Sequence, residues 1–226
     1  MITTIAEISV EREISDHLFL LSVKLERYKQ WVPGMFLQIS LSKKNASEPW
    51  LDGRAFSFAS WGSENASILV RKEGNFTAEL IAKAKTEFVT SVRYPFGSFF
   101  LNSAGNKILI AGGAGVSVFL GYLDYLNAKD NRHSNVLLFH STKSGRESLK
   151  NIYAGKIADN VMIDQFVTDR NDPNYTGRLS TEVLMKSIKD VKAFEYYVCG
   201  PPKFNSYWLE ELKRLGAMPK VEQWEN

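Results

Sequence analysis

A single cysteine, Cys199, in 226 residues leaves no partner for an intrachain disulfide and too few thiolates for a four-cysteine iron–sulfur cluster. Histidine is nearly as scarce. No two of His17, His133 and His140 have metal-ligand spacing, so a metal held mainly by His and Cys is not expected. No apolar run approaches the roughly 18–20 residues needed to cross a bilayer, and no membrane span is expected. The first residues, Met1-Ile2-Thr3-Thr4-Ile5-Ala6-Glu7-Ile8, alternate and carry an early Glu. They lack the basic-then-apolar layout of a secretory signal, so the expected location is cytoplasmic. An excess of one charge is also missing. The 28 Lys and Arg against 25 Asp and Glu leave +3, which does not by itself imply nucleic acid, and none is expected as a partner.

What is present is ordinary globular material: 44% hydrophobic and 23% charged residues can build a core and argue against disorder. The length suits one large domain or two small ones. Residues 17–26, 34–41, 54–60 and 67–72 are short, β-branched or aromatic-rich, and separated by turn residues, as in an antiparallel barrel or sandwich. A helix is predicted over 77–84, with Thr77 as its N-cap. After about residue 103 the pattern changes. Predicted strands at 107–111, 136–140, 161–168, 195–198 and 221–224 alternate with helices at 116–126, 147–154, 181–188 and from Pro201 to 215. That alternation means βαβ units and a parallel sheet. The expected fold is an antiparallel β-barrel over 1–103 followed by a Rossmann-like α/β domain over 104–226.

Gly112-Gly113-Ala114-Gly115 falls between an apolar strand and an apolar helix. Small residues there let backbone N–H groups approach a phosphate at a helix N-terminus. The usual dinucleotide fingerprint is not met: counted from Gly113, Val118 stands where the third glycine belongs. No Gly-Lys-Ser/Thr follows, so this is not a Walker A loop, and Phe119 breaks a serine-hydrolase elbow through Ser117. A tight turn without a ligand would read the same way. The next strand ends His140-Ser141-Thr142-Lys143-Ser144-Gly145-Arg146, with hydroxyls and cations where an NAD site places an acid. If a dinucleotide binds, that favours a 2′-phosphate and NADPH over NADH; a solvated basic loop is the other reading.

Four segments in order, Arg54-Ala55-Phe56-Ser57, Gly74-Asn75-Phe76-Thr77, Gly112-Gly113-Ala114-Gly115 and Cys199-Gly200-Pro201-Pro202, together resemble the ferredoxin–NADP reductase superfamily over nearly the whole chain. Arg54-Ala55-Phe56-Ser57 is similar to its flavin motif, and Gly74-Asn75-Phe76-Thr77 to its flavin-phosphate turn. The 112–115 stretch is similar to its pyridine-nucleotide loop, and Cys199-Gly200-Pro201-Pro202 to its nicotinamide-side motif. The resemblance implies a flavoprotein that passes hydride from NADPH to bound FAD, then electrons to a separate acceptor. That acceptor would be a ferredoxin, a flavodoxin, an oxygenase component or free flavin. FAD is favoured over FMN because the 74–77 turn suits a pyrophosphate.

By the same resemblance, Arg54 contacts phosphate, Phe56 stacks on the isoalloxazine and Ser57 lies near N5. Backbone at Val70 and Arg71 lines the flavin, and Asn75 to Thr77 hold its phosphates. Cys199 faces nicotinamide C4, Glu222 bonds near the redox centre and Trp224 covers the flavin. Lys143, Arg170 and Arg178 are then the expected 2′-phosphate contacts. Phe56 in place of Tyr, Ala114 in place of Thr or Ser, and Val118 in place of Pro depart from the pattern, as does Tyr94-Pro95-Phe96-Gly97 for Gly-Pro-x-Gly. The Ala114 and Val118 changes leave room for a non-catalytic or regulatory subunit of the same fold. If 54–57 is only a core strand, a flavin-free nucleotide-binding module remains.

Overall fold

The computed structural model describes residues 1–101, 104–129 and 134–222. The chain divides into two compact units. One comprises Met1–Asn102 with Ser117–Tyr125, the other Ser103–Val116 with Leu126–Asn226.

The first unit is a six-stranded sheet of β1 (Ile2–Ser15), β2 (Leu18–Leu25), β3 (Phe36–Ile39), β4 (Arg54–Ser57), β5 (Asn65–Arg71) and β6 (Phe88–Phe96). The spatial order is β4-β3-β6-β1-β2-β5, and all pairings are antiparallel. The sheet curls until its ends meet: Phe58, just past β4, bridges to Ile68 of β5. Near-closure hides the edge N–H and C=O groups that an open sheet would expose. Ile8, Leu21, Val23, Leu37, Ile39, Ile68, Val70 and Val92 fill the interior, each fully buried.

Two of these strands, β1 and β6, are missing from the sequence reading. Register shifts between Val10 and Arg12 and between Glu13 and Ser15 interrupt the alternation of β1. In β6 the buried Thr90 and Ser91 read as polar and Pro95 reads as a breaker. Both hydroxyls are satisfied by backbone, Thr90 donating to the Ser40 carbonyl at 2.8 Å and Ser91 to that of Lys44 at 2.9 Å. The helix α1 (Asn75–Ala84) also starts earlier than predicted. Gly74 is its N-cap, and Thr77 sits inside the first turn. There the Thr77 hydroxyl accepts from the N–H groups of Glu73 and Gly74 at 3.0 and 3.2 Å.

The second unit is a five-stranded parallel sheet of β7 (Lys107–Gly112), β8 (Val136–Thr142), β9 (Val161–Val167), β10 (Glu195–Cys199) and β11 (Lys220–Glu222). The order is β11-β10-β7-β8-β9. Central β7 is buried at every residue, as a strand covered on both faces must be. A 3-10 turn, Gly113–Val116, leads into α2 (Ser117–Lys129). The remaining helices are α3 (Leu149–Ile152), α4 (Thr181–Ser187) and α5 (Pro202–Arg214).

The helix expected over 147–154 is broken. A 3-10 turn over Gly145–Glu147 is followed by extended Ser148 (φ −67°, ψ 154°) and only then by the four residues of α3. Glu147 is turned inward, its carboxylate accepting from the buried Thr142 hydroxyl at 3.3 Å. The last predicted strand is described as Lys220–Glu222; Gln223 and Trp224 lie outside the described residues. Among the described residues no helix is long and apolar enough to cross a membrane.

Candidate cofactor sites

In the first unit the motif 54–57 forms all of β4, paired with β3 so that Phe56 faces Leu37 and Ser57 faces Phe36 across the ladder. The α1 N-terminus brings Phe76 to it. The rings of Phe56 and Phe76 lie near-parallel with centroids 6.3 Å apart, and the Arg54 guanidinium sits 5.7 Å from the Phe76 ring centroid. Arg54 is exposed, its one short bond running to the Gly53 carbonyl at 3.2 Å. An exposed planar fork over a half-buried aromatic pair suits an anion attached to a flat apolar body. Ala55, between them, is half-buried.

Ser57 is only 5% exposed, and its hydroxyl has no hydrogen-bond partner among the described residues. A buried hydroxyl without a partner carries an uncompensated desolvation cost, which a ligand atom can relieve. The chain just beyond it is firmly held: Phe58 stacks on Trp31 at 4.0 Å, and the Trp31 indole donates to the Ser60 carbonyl at 3.1 Å.

At the end of β5 the Val70 side chain lies in the core with no exposure. Arg71 lies 3.9 Å from the Glu73 carboxylate. At the α1 N-terminus the first-turn N–H groups of Asn75, Phe76 and Thr77 have no intrahelical acceptor. The Thr77 hydroxyl, expected to hold phosphate, is instead spent on the cap, and it donates to the Gly74 carbonyl at 3.1 Å.

In the second unit β7 ends at Gly112, and the loop packs backbone against backbone on the β10–α5 turn. A Cβ at Gly115 would fall 2.3 Å from the Cys199 carbonyl oxygen, and one at Gly200 would fall 3.1 Å from the Gly112 Cα. No side chain fits at either place, which explains the glycines without reference to a ligand. Gly113 and Ala114 are half-buried at the loop's crest. Pro201 is the N-cap of α5, and Pro202 begins the helix.

Cys199 is the last residue of β10 and has no exposure. It lies in one register row that crosses the whole sheet: Gln165, His140, Ala111, Cys199 and Glu222. Partners in register project from the same face. Glu222 is half-buried at the end of that row, and burial pushes its carboxyl up to about 7. Its backbone carbonyl is held by the Asn205 side-chain amide at 2.8 Å.

The three expected 2′-phosphate contacts, Lys143, Arg170 and Arg178, are all exposed around the ends of β8 and β9. Asp172, absent from the sequence-based site, reaches across from the β9 loop. Its carboxylate accepts from the Ser144 hydroxyl at 2.9 Å and the Gly145 N–H at 3.0 Å. Hydrogen bonds from the backbone N–H groups of Asn174 and Gly145 hold it down at about 2. The Asp-Pro-Asn sequence at 172–174 marks a turn, but nothing local says what the acid binds. His140 and Gln165 were missed as well; both bond to backbone on separate segments, described below.

The family description "Oxidoreductase NAD-binding domain" matches residues 109–208. A curated relative from Pongo abelii, "Oxidoreductase NAD-binding domain-containing protein 1", is 30% identical over 57% of this chain and 50% of its own length. The anthranilate 1,2-dioxygenase electron transfer component of Acinetobacter baylyi is 23% identical over 92% of this chain and 62% of its own. The chain thus spans between half and two thirds of those two relatives. Among solved structures, a ferredoxin NADP+ reductase from Neisseria gonorrhoeae with bound FAD and NADP is similar. It has a TM-score of 0.76 and 15% identity, with 97% of this chain and 98% of that one covered.

Proposed function

We propose that this chain, whose residues 109–208 match the oxidoreductase NAD-binding domain and whose fold is that of ferredoxin reductase-like structures, is a flavin-dependent NAD(P)H reductase passing electrons to a separate acceptor. The observation that carries the reading is the Ser57 hydroxyl, buried and unpartnered beside the Phe56–Phe76 pair and Arg54. An orphaned polar atom at the edge of an aromatic shelf fits a flat heteroaromatic ligand, and FAD answers that description together with the phosphate-suited α1 N-terminus.

A bound flavin supplies the hydride-accepting ring and the release of single electrons. The chain's own residues bind and orient. Arg54 and the first-turn N–H groups of α1 take the phosphates. Phe56 and Phe76 present apolar faces, and Ser57 offers its proton to a ring nitrogen. In the second unit the 113–115 turn offers backbone N–H groups to the dinucleotide. Glu222, held up to about 7, is poised to hold or give a proton near neutral pH.

The exposed cations Lys143, Arg170 and Arg178 support NADPH as the preferred coenzyme. Asp172 narrows that preference, because it already occupies two donors in the same loop. The names of longer relatives support an oxygenase component or a ferredoxin-type carrier as the acceptor.

The test is an absorbance spectrum of the FAD-loaded protein followed by anaerobic addition of NADPH and, separately, NADH. Flavin bands bleached by NADPH, and more slowly by NADH, support the reading. Flavin that neither coenzyme reduces points to a non-catalytic subunit, and failure to load FAD removes the reading altogether.

A further inference from the structure

His140 lies on β8 with no exposure, and both of its ring nitrogens are engaged. Nε2 is 3.1 Å from the Gly113 carbonyl oxygen, and Nδ1 is 3.0 Å from Gln165 Oε1. The orientation of the Gln165 amide is fixed by its other two partners. Its oxygen accepts from the Leu149 N–H at 3.0 Å, and its nitrogen donates to the His140 carbonyl at 3.0 Å. Turning the amide over would set N–H against N–H and oxygen against oxygen. Both atoms facing the imidazole are therefore acceptors, and both ring nitrogens must donate. Only the imidazolium does that.

Gly113 is the crest of the nucleotide loop, with φ +53° in the left-handed region that glycine allows. In a trans peptide the C=O and the following N–H point in opposite directions. Holding the Gly113 carbonyl toward β8 thus turns the Ala114 N–H away from the strand. We propose that His140 is the positioning residue of this loop: by donating to the Gly113 carbonyl while braced on Gln165, it fixes the Gly113–Ala114 peptide plane and keeps the Ala114 N–H directed at the dinucleotide phosphates. This rests on the reading of 112–115 as a dinucleotide site, and it assigns to a side chain the aim that Ala114, lacking a hydroxyl, cannot supply itself.

The device depends on pH. When the imidazolium loses its proton, one of the two contacts becomes a lone pair facing an oxygen, and the hold on the peptide plane weakens. Dinucleotide affinity is then held below the histidine's titration and lost above it. Among the described residues, the charged group buried on this face of β8 is Glu147, bonded to Thr142 two residues along. Cys199 and Glu222 complete the same register row. Gln165 on β9 and Leu149 at the start of α3 are uncharged, as is the loop itself. Glu222 titrates at about 7, so the test needs a variant on the Gln165 side of the ring.

Gln165→Glu keeps the acceptor for Nδ1 and sets a carboxylate beside it, which stabilises the charged ring, and it gives up the donor to the His140 carbonyl. Binding of NAD+ and NADP+ to the FAD-loaded protein is measured by calorimetry from about pH 5.5 to about 8.5, the range in which imidazole titrates. The expected result is a rise in Kd of about tenfold across the range in the parent, and a step displaced to higher pH in Q165E. His140→Phe should bind at the weak limit at every pH, with flavin content little changed. A 15N spectrum of the imidazole gives a ligand-independent readout, with both nitrogens protonated at the acid end. A single protonated nitrogen there, or a Kd whose pH profile Q165E does not move, overturns the proposal. If the parent binds neither dinucleotide at any pH, the functional reading falls; the imidazole spectrum then still decides whether His140 holds the Gly113 carbonyl.

Discussion

Ser57→Ala separates a ligand-facing hydroxyl from a structural one. In the flavin-free protein the hydroxyl is 5% exposed and has no partner among the described residues, so it contributes only its desolvation cost, about 1–3 kcal/mol for a buried unpaired group. Alanine removes that cost and leaves a void of a single oxygen atom. The flavin-free variant should therefore be more stable than the parent, by about 1 kcal/mol after the small packing loss. With FAD bound the sign reverses. The parent gains a hydrogen bond that the variant lacks, and the variant's FAD affinity should fall about five- to tenfold. The assay is urea unfolding of flavin-free and FAD-loaded protein, followed by tryptophan fluorescence, with flavin reduction measured by stopped flow. A variant less stable by 1 kcal/mol or more without flavin, yet unchanged in FAD affinity and reduction, would refute the reasoning (about the same magnitude, opposite sign).

Glu222→Gln probes the other half-site. The parent carboxyl titrates at about 7 when folded against 4.5 as its ordinary value, so the folded state holds the proton more tightly. Its stabilising share is complete below the lower value and lost as pH rises through the upper one. E222Q should match the parent at about pH 4 and exceed it by about 2 kcal/mol at about pH 8, below the full shift because the group is only half-buried. A difference that does not change with pH contradicts the burial argument. Asp172→Asn removes the charge that now takes the Ser144 hydroxyl and the Gly145 N–H. The KM for NADPH should fall severalfold relative to that for NADH, and an unchanged ratio places the 2′-position elsewhere. Gly115→Ala puts a methyl 2.3 Å from a backbone oxygen that cannot swing aside. NAD(P)H binding should be lost while FAD content is kept, which difference spectra would check.

The parallel unit was legible because its chemistry is local. β7, β8 and β10 are near-continuous buried runs, so the sequence period and the structural period agree. The barrel was half hidden for the opposite reason. β6 buries Thr90 and Ser91, which only make sense once the Ser40 and Lys44 carbonyls, some fifty residues earlier in the chain, are known to accept from them. The candidate sites divide along the same line. Turns made of glycine and proline announce themselves, because the residue that bends the chain is the residue that lies there. The groups that aim those turns come from other strand ends: Asp172 reaches Ser144 over 28 positions, and Gln165 braces His140 over 25. Neither pair has a spacing that repeats or a neighbour that predicts it. A motif search therefore locates where a phosphate can lie, while the residues that set the loop's direction and charge appear only when the strands are paired. That is why Ala114, which looks like a weakened motif in the sequence, stands in the structure beside a peptide plane held from behind by a buried imidazole.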